Sequence, residues 1–434
     1  MKRTQILRLG LFQVAAGGLS VLFLGVLNRV MRVELGLDLF RVTLIVGGGH
    51  YLGALIAIPF GYYSDTHPLG GFRRSFYVLF GAIGAAAVLA GSVQVVTWLA
   101  ASPTSGRLAA SFGFFLLEGI ASYIAGTAFL ALVTDLTSPA ERGRVTGLIW
   151  TMLMVGIILT GVITGALLSP FSLERVQTMF LAAGGLATAL AIAALVRQEK
   201  RAIDWKRETS GNLWAALRAL GTNRPARWFA AFLFLSMFSY FMQDVILEPF
   251  GGEVFALSPA ETTRFNAYMG VGVVLSMLLG GSQLIPRLGK RSTTSIGLVV
   301  MIGAFLGLAG SSLVGAAGAL AFLILLLGVG AGFFTVGGVS LMMDMTTAQQ
   351  TGLFVGLWTL IQALAKGPTA IAGGALQSAF LALGASVPAA YAAVFGFEAF
   401  GLALSILLLR QVAQEQFYQV VEPFESTVFE AMNS

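Results

Sequence analysis

The sequence predicts an all-α membrane protein with twelve transmembrane helices in two pseudo-symmetric six-helix bundles, and three observations carry that prediction. The first is composition: of 434 residues, 57% are hydrophobic and 11% charged, where a soluble domain carries about 25% charged residues. The second is a series of apolar runs, each near the roughly 20 residues needed to cross a bilayer. The third is an internal repeat. Asp135-x-Thr137-x5-Gly143-x3-Gly147-Leu148 recurs 209 residues later as Asp344-x-Thr346-x5-Gly352-x3-Gly356-Leu357, each copy lying where one apolar run ends and the next begins. Two halves related in this way around a central site form a transporter architecture.

In order, the runs fall at about 9–27, 42–63, 75–98, 108–133, 145–168, 176–196, 228–247, 265–286, 292–313, 318–342, 352–376 and 389–409. The first follows Met1-Lys2-Arg3 and has full spanning length, so it is expected to be a retained helix and not a cleaved signal peptide. Residues 292–343 carry no charge and are too long for one crossing. They are divided near Gly310-Ser311-Ser312 and Gly315-Ala316-Ala317-Gly318. Glycine is abundant, at 54 residues, and spacings such as Gly161-x3-Gly165 let two helix backbones approach in lipid.

The only long polar connection, 197–227, joins the two sixes. Within it Leu213, Trp214, Leu217 and Leu220 share a helical face, the pattern of a short interfacial helix. The expected organisation is an N-terminal bundle over 1–196, a cytoplasmic linker over 197–227, a C-terminal bundle over 228–410 and an acidic cytoplasmic tail over 411–434. In the tail Glu415, Glu422, Glu425 and Glu430 are interleaved with Phe417, Tyr418, Phe424 and Phe429.

Orientation follows from lysine and arginine, which remain on the cytoplasmic side. With both termini inside, nineteen of the 26 fall on inner loops or ends, six outside, and Lys366 within a span. The net charge of +6 therefore follows topology and calls for no nucleic acid. Cysteine is absent, which excludes disulfides and Cys-ligated zinc or iron–sulfur sites. No Gly-x4-Gly-Lys-Ser/Thr loop or His-Glu-x-x-His helix occurs, and there are two histidines, so no enzyme and no ATP-driven pump is expected.

Charged side chains are costly inside a bilayer and usually face a cavity or a partner. Here they are Glu118 in the fourth span, Asp244 and Glu248 at the outer end of the seventh, Lys366 in the eleventh and Glu398 in the twelfth. Asn28-Arg29 ends the first span and His50 lies in the second. All but Glu398 fall in the outer half, where Arg29 and Lys366 are placed to neutralise Glu118, Asp244 and Glu248. Asp244 and Glu248, four apart, share a helix face. They are either a crowded carboxylate pair carrying a coupled proton or members of an ion-pair set closing an outer gate. Glu398 receives no role. His50 either ligates a metal centre such as the magnesium of a chlorin, with Gly47-Gly48-Gly49 leaving room for a flat ligand, or hydrogen-bonds a neighbouring helix.

On the inner side, Ser64-Asp65-Thr66-His67 precedes Arg73-Arg74, and Asp135 precedes Arg142 and Arg144. Acids and bases on facing helix ends suit a latch released as the halves rock. The second copy retains Asp344 but has Gln350-Thr351 where Glu141-Arg142 stands, so its latch is weaker or absent.

Over about residues 6–412 the twelve-helix plan, repeat and loop motifs resemble the major facilitator superfamily. More narrowly, Leu27-Asn28-Arg29-Val30-Met31-x-Val33-Glu34-Leu35-Gly36, Ser64-Asp65-Thr66-His67, and Met343-Asp344-Met345-Thr346 with Thr351-Gly352-Leu353, Trp358, Gln362-Ala363 and Gly367 resemble its bacteriochlorophyll delivery (PucC-like) family. One stretch departs: Gly71-Phe72-Arg73-Arg74-Ser75-Phe76 stands where a Gly-Trp-Arg-Arg-x-Pro pattern is expected.

The resemblance implies an assembly factor of light-harvesting or photosystem complexes that binds or delivers chlorophyll or bacteriochlorophyll. It implies a photosynthetic membrane, inner, intracytoplasmic or thylakoid, with antenna or photosystem subunits as partners and pigment-synthesis enzymes as further ones. The expected cavity set, for pigment or another substrate, is Asn28, Arg29, Glu34, His50, Glu118, Asp244, Glu248, Gln362 and Lys366. No metal cofactor is expected beyond His50 as a chlorin magnesium ligand. The alternatives are a proton-coupled transporter of a small solute through Glu118, Asp244 and Glu248, and a scaffold that no longer transports.

Overall fold

The computed structural model describes residues 3–55, 67–137, 141–199, 224–344 and 351–412. The interfacial helix expected at Leu213, Trp214, Leu217 and Leu220, the acidic tail beyond residue 412 and Asp65 lie outside the described residues. The rest is helical, with no strand among the described residues. The spans are α1 Thr4–Glu34, α2 Leu39–Leu55, α3 Ser75–Ala101, α4 Ser105–Leu136, α5 Arg142–Leu167, α6 Leu173–Leu195, α7 Arg227–Phe255, α8 Pro259–Leu288, α9 Lys290–Val314, α10 Leu320–Asp344, α11 Thr351–Ala382 and α12 Val387–Arg410. Each of the twelve expected spans has a helical counterpart among the described residues, α2 being described as far as Leu55.

Local chemistry marks the outer turns, outer meaning the face opposite the N-terminus. Asp38, Thr104, Ser172 and Ser386 accept the backbone N–H three residues on and so open α2, α4, α6 and α12. Ser258 and Glu261 form a reciprocal capping box at the start of α8, with Pro259 in its first turn. Gly315, at φ 72°, ends α9 in the left-handed region, and a 3-10 turn over Ala317–Ala319 leads into α10. The break therefore falls within the predicted Gly/Ala stretch.

Two boundaries differ from expectation. The first span continues to Glu34 and the seventh to Phe255, where the apolar pattern stops at 27 and 247. Both helices carry charged residues past those points. The charges are tolerated because groups on other helices satisfy them. As a result Asp244 and Glu248 lie within α7 and not at its outer end.

Packing repeats between the halves. α3 lies on α4 and α6 as α9 lies on α10 and α12; α1 lies on α5 and α6 as α7 lies on α11 and α12. The halves then meet through equivalent helices, α5 with α8 and α2 with α11. Glycine makes these approaches close. A Cβ at Gly161 would stand 3.1 Å from the backbone N of Ala267, and one at Gly165 2.8 Å from the carbonyl of Ala260. The Gly161-x3-Gly165 spacing thus sets a contact between halves.

Candidate functional site between the two halves

The polar residues collect where α1, α2 and α4 face α7, α8 and α11, in three groups. The outermost is a clamp. Arg29, 2% exposed, donates through Nη1 to Glu34 at 2.5 Å and through Nη2 to the carbonyl of Leu257 at 2.6 Å. One turn on, Arg32 Nη2 lies 2.7 Å from Glu253 on α7, whose other oxygen accepts from the Tyr391 hydroxyl of α12 at 2.6 Å. α1 is π-helical over Val21–Val26 and Val30–Glu34, a widening frequent at functional positions. Glu248 also belongs here. It accepts from Asn266 of α8 at 2.6 Å and lies against Gly25, where an added Cβ would stand 2.0 Å from its Oε1. Asn28 is buried and donates to the carbonyl of Leu24 in its own helix.

The second group is built on α2 and α4. His50 Nδ1 hydrogen-bonds Glu118, which also accepts from Ser122 at 2.6 Å. Among the described residues its Nε2 has no hydrogen-bond partner. The rings of Phe23, Tyr51 and Tyr123 surround the imidazole at centroid distances of 5.6, 4.9 and 5.5 Å. The adjacent triple glycine leaves no gap. Gly47 meets Ala370, Gly48 meets Ile371, and Gly49 meets Phe115 and the carbonyl of Phe112. These glycines serve helix packing, so any flat ligand would lie on the aromatic side of His50.

The third group links α2, α7 and α11. Asp244 accepts from Tyr51 at 3.1 Å and from Gln243 at 2.5 Å. Lys366 Nζ stands over the rings of Phe241 and Tyr51, 4.1 and 5.4 Å from their centroids, without reaching salt-bridge distance of a carboxylate. Gln362 lies one turn before it and is half-buried.

The expected single polar layer is therefore divided. Arg29 neutralises Glu34, Glu118 is engaged by His50, and Asp244 and Glu248 turn to different helices despite sharing a register. Arg32, Glu253 and Tyr391 were absent from the expected set. The capping box at Ser258–Glu261 is the signal that places the end of α7 beyond Glu253.

On the inner side Arg74 lies 3.3 Å from Asp135, tying α3 to α4 within one half, so this pair braces a bundle instead of latching two. Arg73, Arg74 and Ser75 also donate backbone N–H groups to Glu199 at 2.7, 3.1 and 2.8 Å, a carboxylate that sequence spacing does not suggest. Arg8 of α1 donates to the carbonyls of Ala193 and Val196 at the end of α6. Only the helical backbone is described at Arg142, Arg144 and Asp344. An apolar cleft of about 450 Å³ between the start of α3 and the end of α6, with Ser75 and Glu199 in its lining, shares no residue with the three groups between the halves.

Known proteins agree with this architecture. The chain is 30% identical over 424 residues to Protein PucC of Rhodobacter capsulatus, covering 93% of this chain and 91% of the relative. It is 32% identical over 411 residues to the bacteriochlorophyll synthase 44.5 kDa chain of the same organism, covering 91% and 92%. In fold it is similar to a D-xylose–proton symporter, with a TM-score of 0.72 at 14% identity over 95% and 98% of the two chains. A bacterial homologue of the iron transporter ferroportin gives a TM-score of 0.69 at 16% identity, over 95% and 99%. These likenesses and the duplicated helix packing establish the major facilitator fold. Since the sequence model of the PUCC protein family matches residues 26–417, the chain belongs to the PUCC family of multi-pass membrane proteins.

Proposed function

We propose that this protein is a non-enzymatic assembly factor of photosynthetic pigment–protein complexes that binds or delivers chlorophyll or bacteriochlorophyll. Beyond family membership, the observation that carries the reading is the state of His50. A Glu118 carboxylate on Nδ1 favours the tautomer with its proton on that nitrogen and leaves the Nε2 lone pair free among aromatic rings. This carboxylate–histidine arrangement orients and strengthens an imidazole ligand. One nitrogen donor in an apolar, aromatic setting fits the magnesium of a chlorin.

In this reading His50 holds the pigment, Glu118 and Ser122 fix the imidazole, and Phe23, Tyr51 and Tyr123 exclude water from the ligand nitrogen. Bound pigment supplies the absorbing group and the magnesium. The clamp at Arg29 and Arg32 closes the outer side, so pigment would enter from the inner side or from the membrane. Both termini are placed in the cytoplasm, in a photosynthetic membrane. The partners are light-harvesting or photosystem subunits, with pigment-synthesis enzymes as donors.

The test is an absorption spectrum of protein purified in mild detergent from a photosynthetic host, with co-purifying subunits identified. A near-stoichiometric chlorin band, lost in His50→Leu, supports the proposal. A colourless protein together with normal antenna assembly in a deletion strain would sink it.

One observation favours a second reading, proton-coupled transport of a small solute. Asp244 joins Tyr51 of one half to the Lys366 region of the other, as a coupling carboxylate must. Proton-driven uptake in vesicles that disappears in Asp244→Asn would support it over the pigment reading.

A further inference from the structure

Glu398 received no role from the sequence, yet among the described residues it is the acid whose surroundings are least complete. It is fully buried on α12 and neither carboxylate oxygen has a hydrogen-bond partner. A carboxyl on a lipid-facing surface would be exposed; this one faces into the C-terminal half, toward a defect in α7.

The defect is a short interruption of the α-helical hydrogen bonding. The first segment of α7 ends at Tyr240 and the second starts at Gln243. Between them Phe241 N–H still reaches the carbonyl of Met237, but Asp244 N–H reaches back only to Phe241. Such an interruption frees carbonyls at the end of one segment and N–H groups at the start of the next. Neighbouring helices attend to it from both sides. Thr369 of α11 donates to the carbonyl of Phe238 at 2.8 Å. On α12, Gly401 packs against Ser239, where an added Cβ would stand 2.0 Å from Oγ. One turn away, Glu398 is approached by the backbone N–H of Gln243, without completing a hydrogen bond.

Charge decides the state of the carboxyl. From α7 it faces Tyr240, Gln243 and Asp244, the last a like charge. The cation of α11 is Lys366, which is held over Phe241 and Tyr51 and interacts with Asp244. α9, packed along α12, has no charged residue after Arg291. An unpaired buried carboxylate is costly, so this arrangement favours the neutral acid. If the second segment of α7 turned its free N–H groups toward α12, the positive end of that half-helix would favour the anion.

We propose that Glu398 is a proton-binding site coupled to the interruption in α7. The proton is bound in the arrangement seen here and leaves the Glu398 carboxyl for water, past the partly buried Asp244, as the Gln243–Phe255 segment realigns. Electrons and heavy atoms are unchanged. The proposal does not depend on the pigment reading, since it concerns the motion of one half whatever is carried.

Infrared spectroscopy of full-length protein in lipid bilayers tests it first without any substitution. A protonated-carboxyl carbonyl band that moves in heavy water is expected, and its absence would overturn the proposal. The band should diminish in Glu398→Gln and shift in Glu398→Asp; a band unchanged in both variants also overturns it. For the coupling, the natural absence of cysteine allows spin labels at Ala256→Cys and Gly318→Cys, both exposed. Their distance distribution should change with pH in the parent chain and stay at its acid form in Glu398→Gln. An equal pH response in both proteins removes the coupling.

Discussion

Arg32 on α1 and Glu253 on α7 lie 2.7 Å apart and close the outer side across the two halves. The pair is only partly shielded, with side chains 13% and 18% exposed, so its strength lies between that of a surface pair and a buried one. Glu253 also takes the Tyr391 hydroxyl, which fixes its geometry. Glu253→Gln keeps the hydrogen bonding but loses the charge. It should shift the balance toward outward opening by about 1–2 kcal/mol, roughly ten-fold in population. Spin-label distances between the outer ends of the halves read this shift, and Arg32→Glu combined with Glu253→Arg should restore the parent distribution. Restoration would separate a charge clamp from simple loss of packing.

If His50 holds pigment as proposed, its contact with Glu118 predicts a graded loss of binding. His50→Leu removes the ligand and should abolish the chlorin band. Glu118→Gln leaves His50 in place but weakens control of its tautomer, and loss of the group that orients a ligand imidazole typically costs about 10–100-fold in affinity. Pigment titration by absorbance in detergent, with melting temperature as a folding control, distinguishes the two effects. Equal binding by Glu118→Gln and the parent chain would leave Glu118 with a packing role only.

The fold was legible because hydropathy and a duplicated loop motif are sequence-local signals, and both survive without knowledge of contacts. The ends of α1 and α7 were not legible. Whether Arg29 or Glu248 belongs inside a span depends on Leu257 and Asn266, partners that only the assembled halves bring near. The same limit explains the triple glycine beside His50, since missing side chains leave space or admit a neighbouring helix with identical sequence. His50 and Glu118 were both visible as costly residues, but their pairing, 68 positions apart, was not.

Glycine substitutions test that packing directly. At Gly119 a Cβ would stand 2.0 Å from the backbone carbonyl of His50, and backbone moves less readily than a side chain. Gly119→Ala should force α2 from α4, cost about 1–3 kcal/mol and disturb the His50–Glu118 contact. Gly113, on the same helix with no atom within 4 Å of its would-be Cβ, is the control. Gly113→Ala should be neutral or stabilising by about 0.5–1 kcal/mol, through reduced backbone entropy of the unfolded chain. Thermal unfolding of the two variants side by side reads the difference; equal destabilisation would contradict the close approach of α2 and α4.

Glu199 gives the last prediction. Its carboxylate accepts three backbone N–H groups at the start of α3, where Arg74, the residue before the helix, offers no side-chain cap. The acceptor thus comes from about 125 residues away, and it fastens the first turn of α3 to the chain leaving α6. A lost cap costs about 0.5–2 kcal/mol, and here an anion at the positive end of a helix adds to it. Glu199→Ala should lower thermal stability by that amount and speed proteolysis of the polar connection that follows. Glu199→Gln keeps an acceptor and should fall between the two. Because the carboxylate also holds the backbone of Arg74, whose side chain lies against Asp135, the alanine variant should weaken the Arg74–Asp135 brace as well. A double-mutant cycle with Asp135→Asn would show this as non-additivity, whereas strict additivity would mean that the cap and the brace act independently.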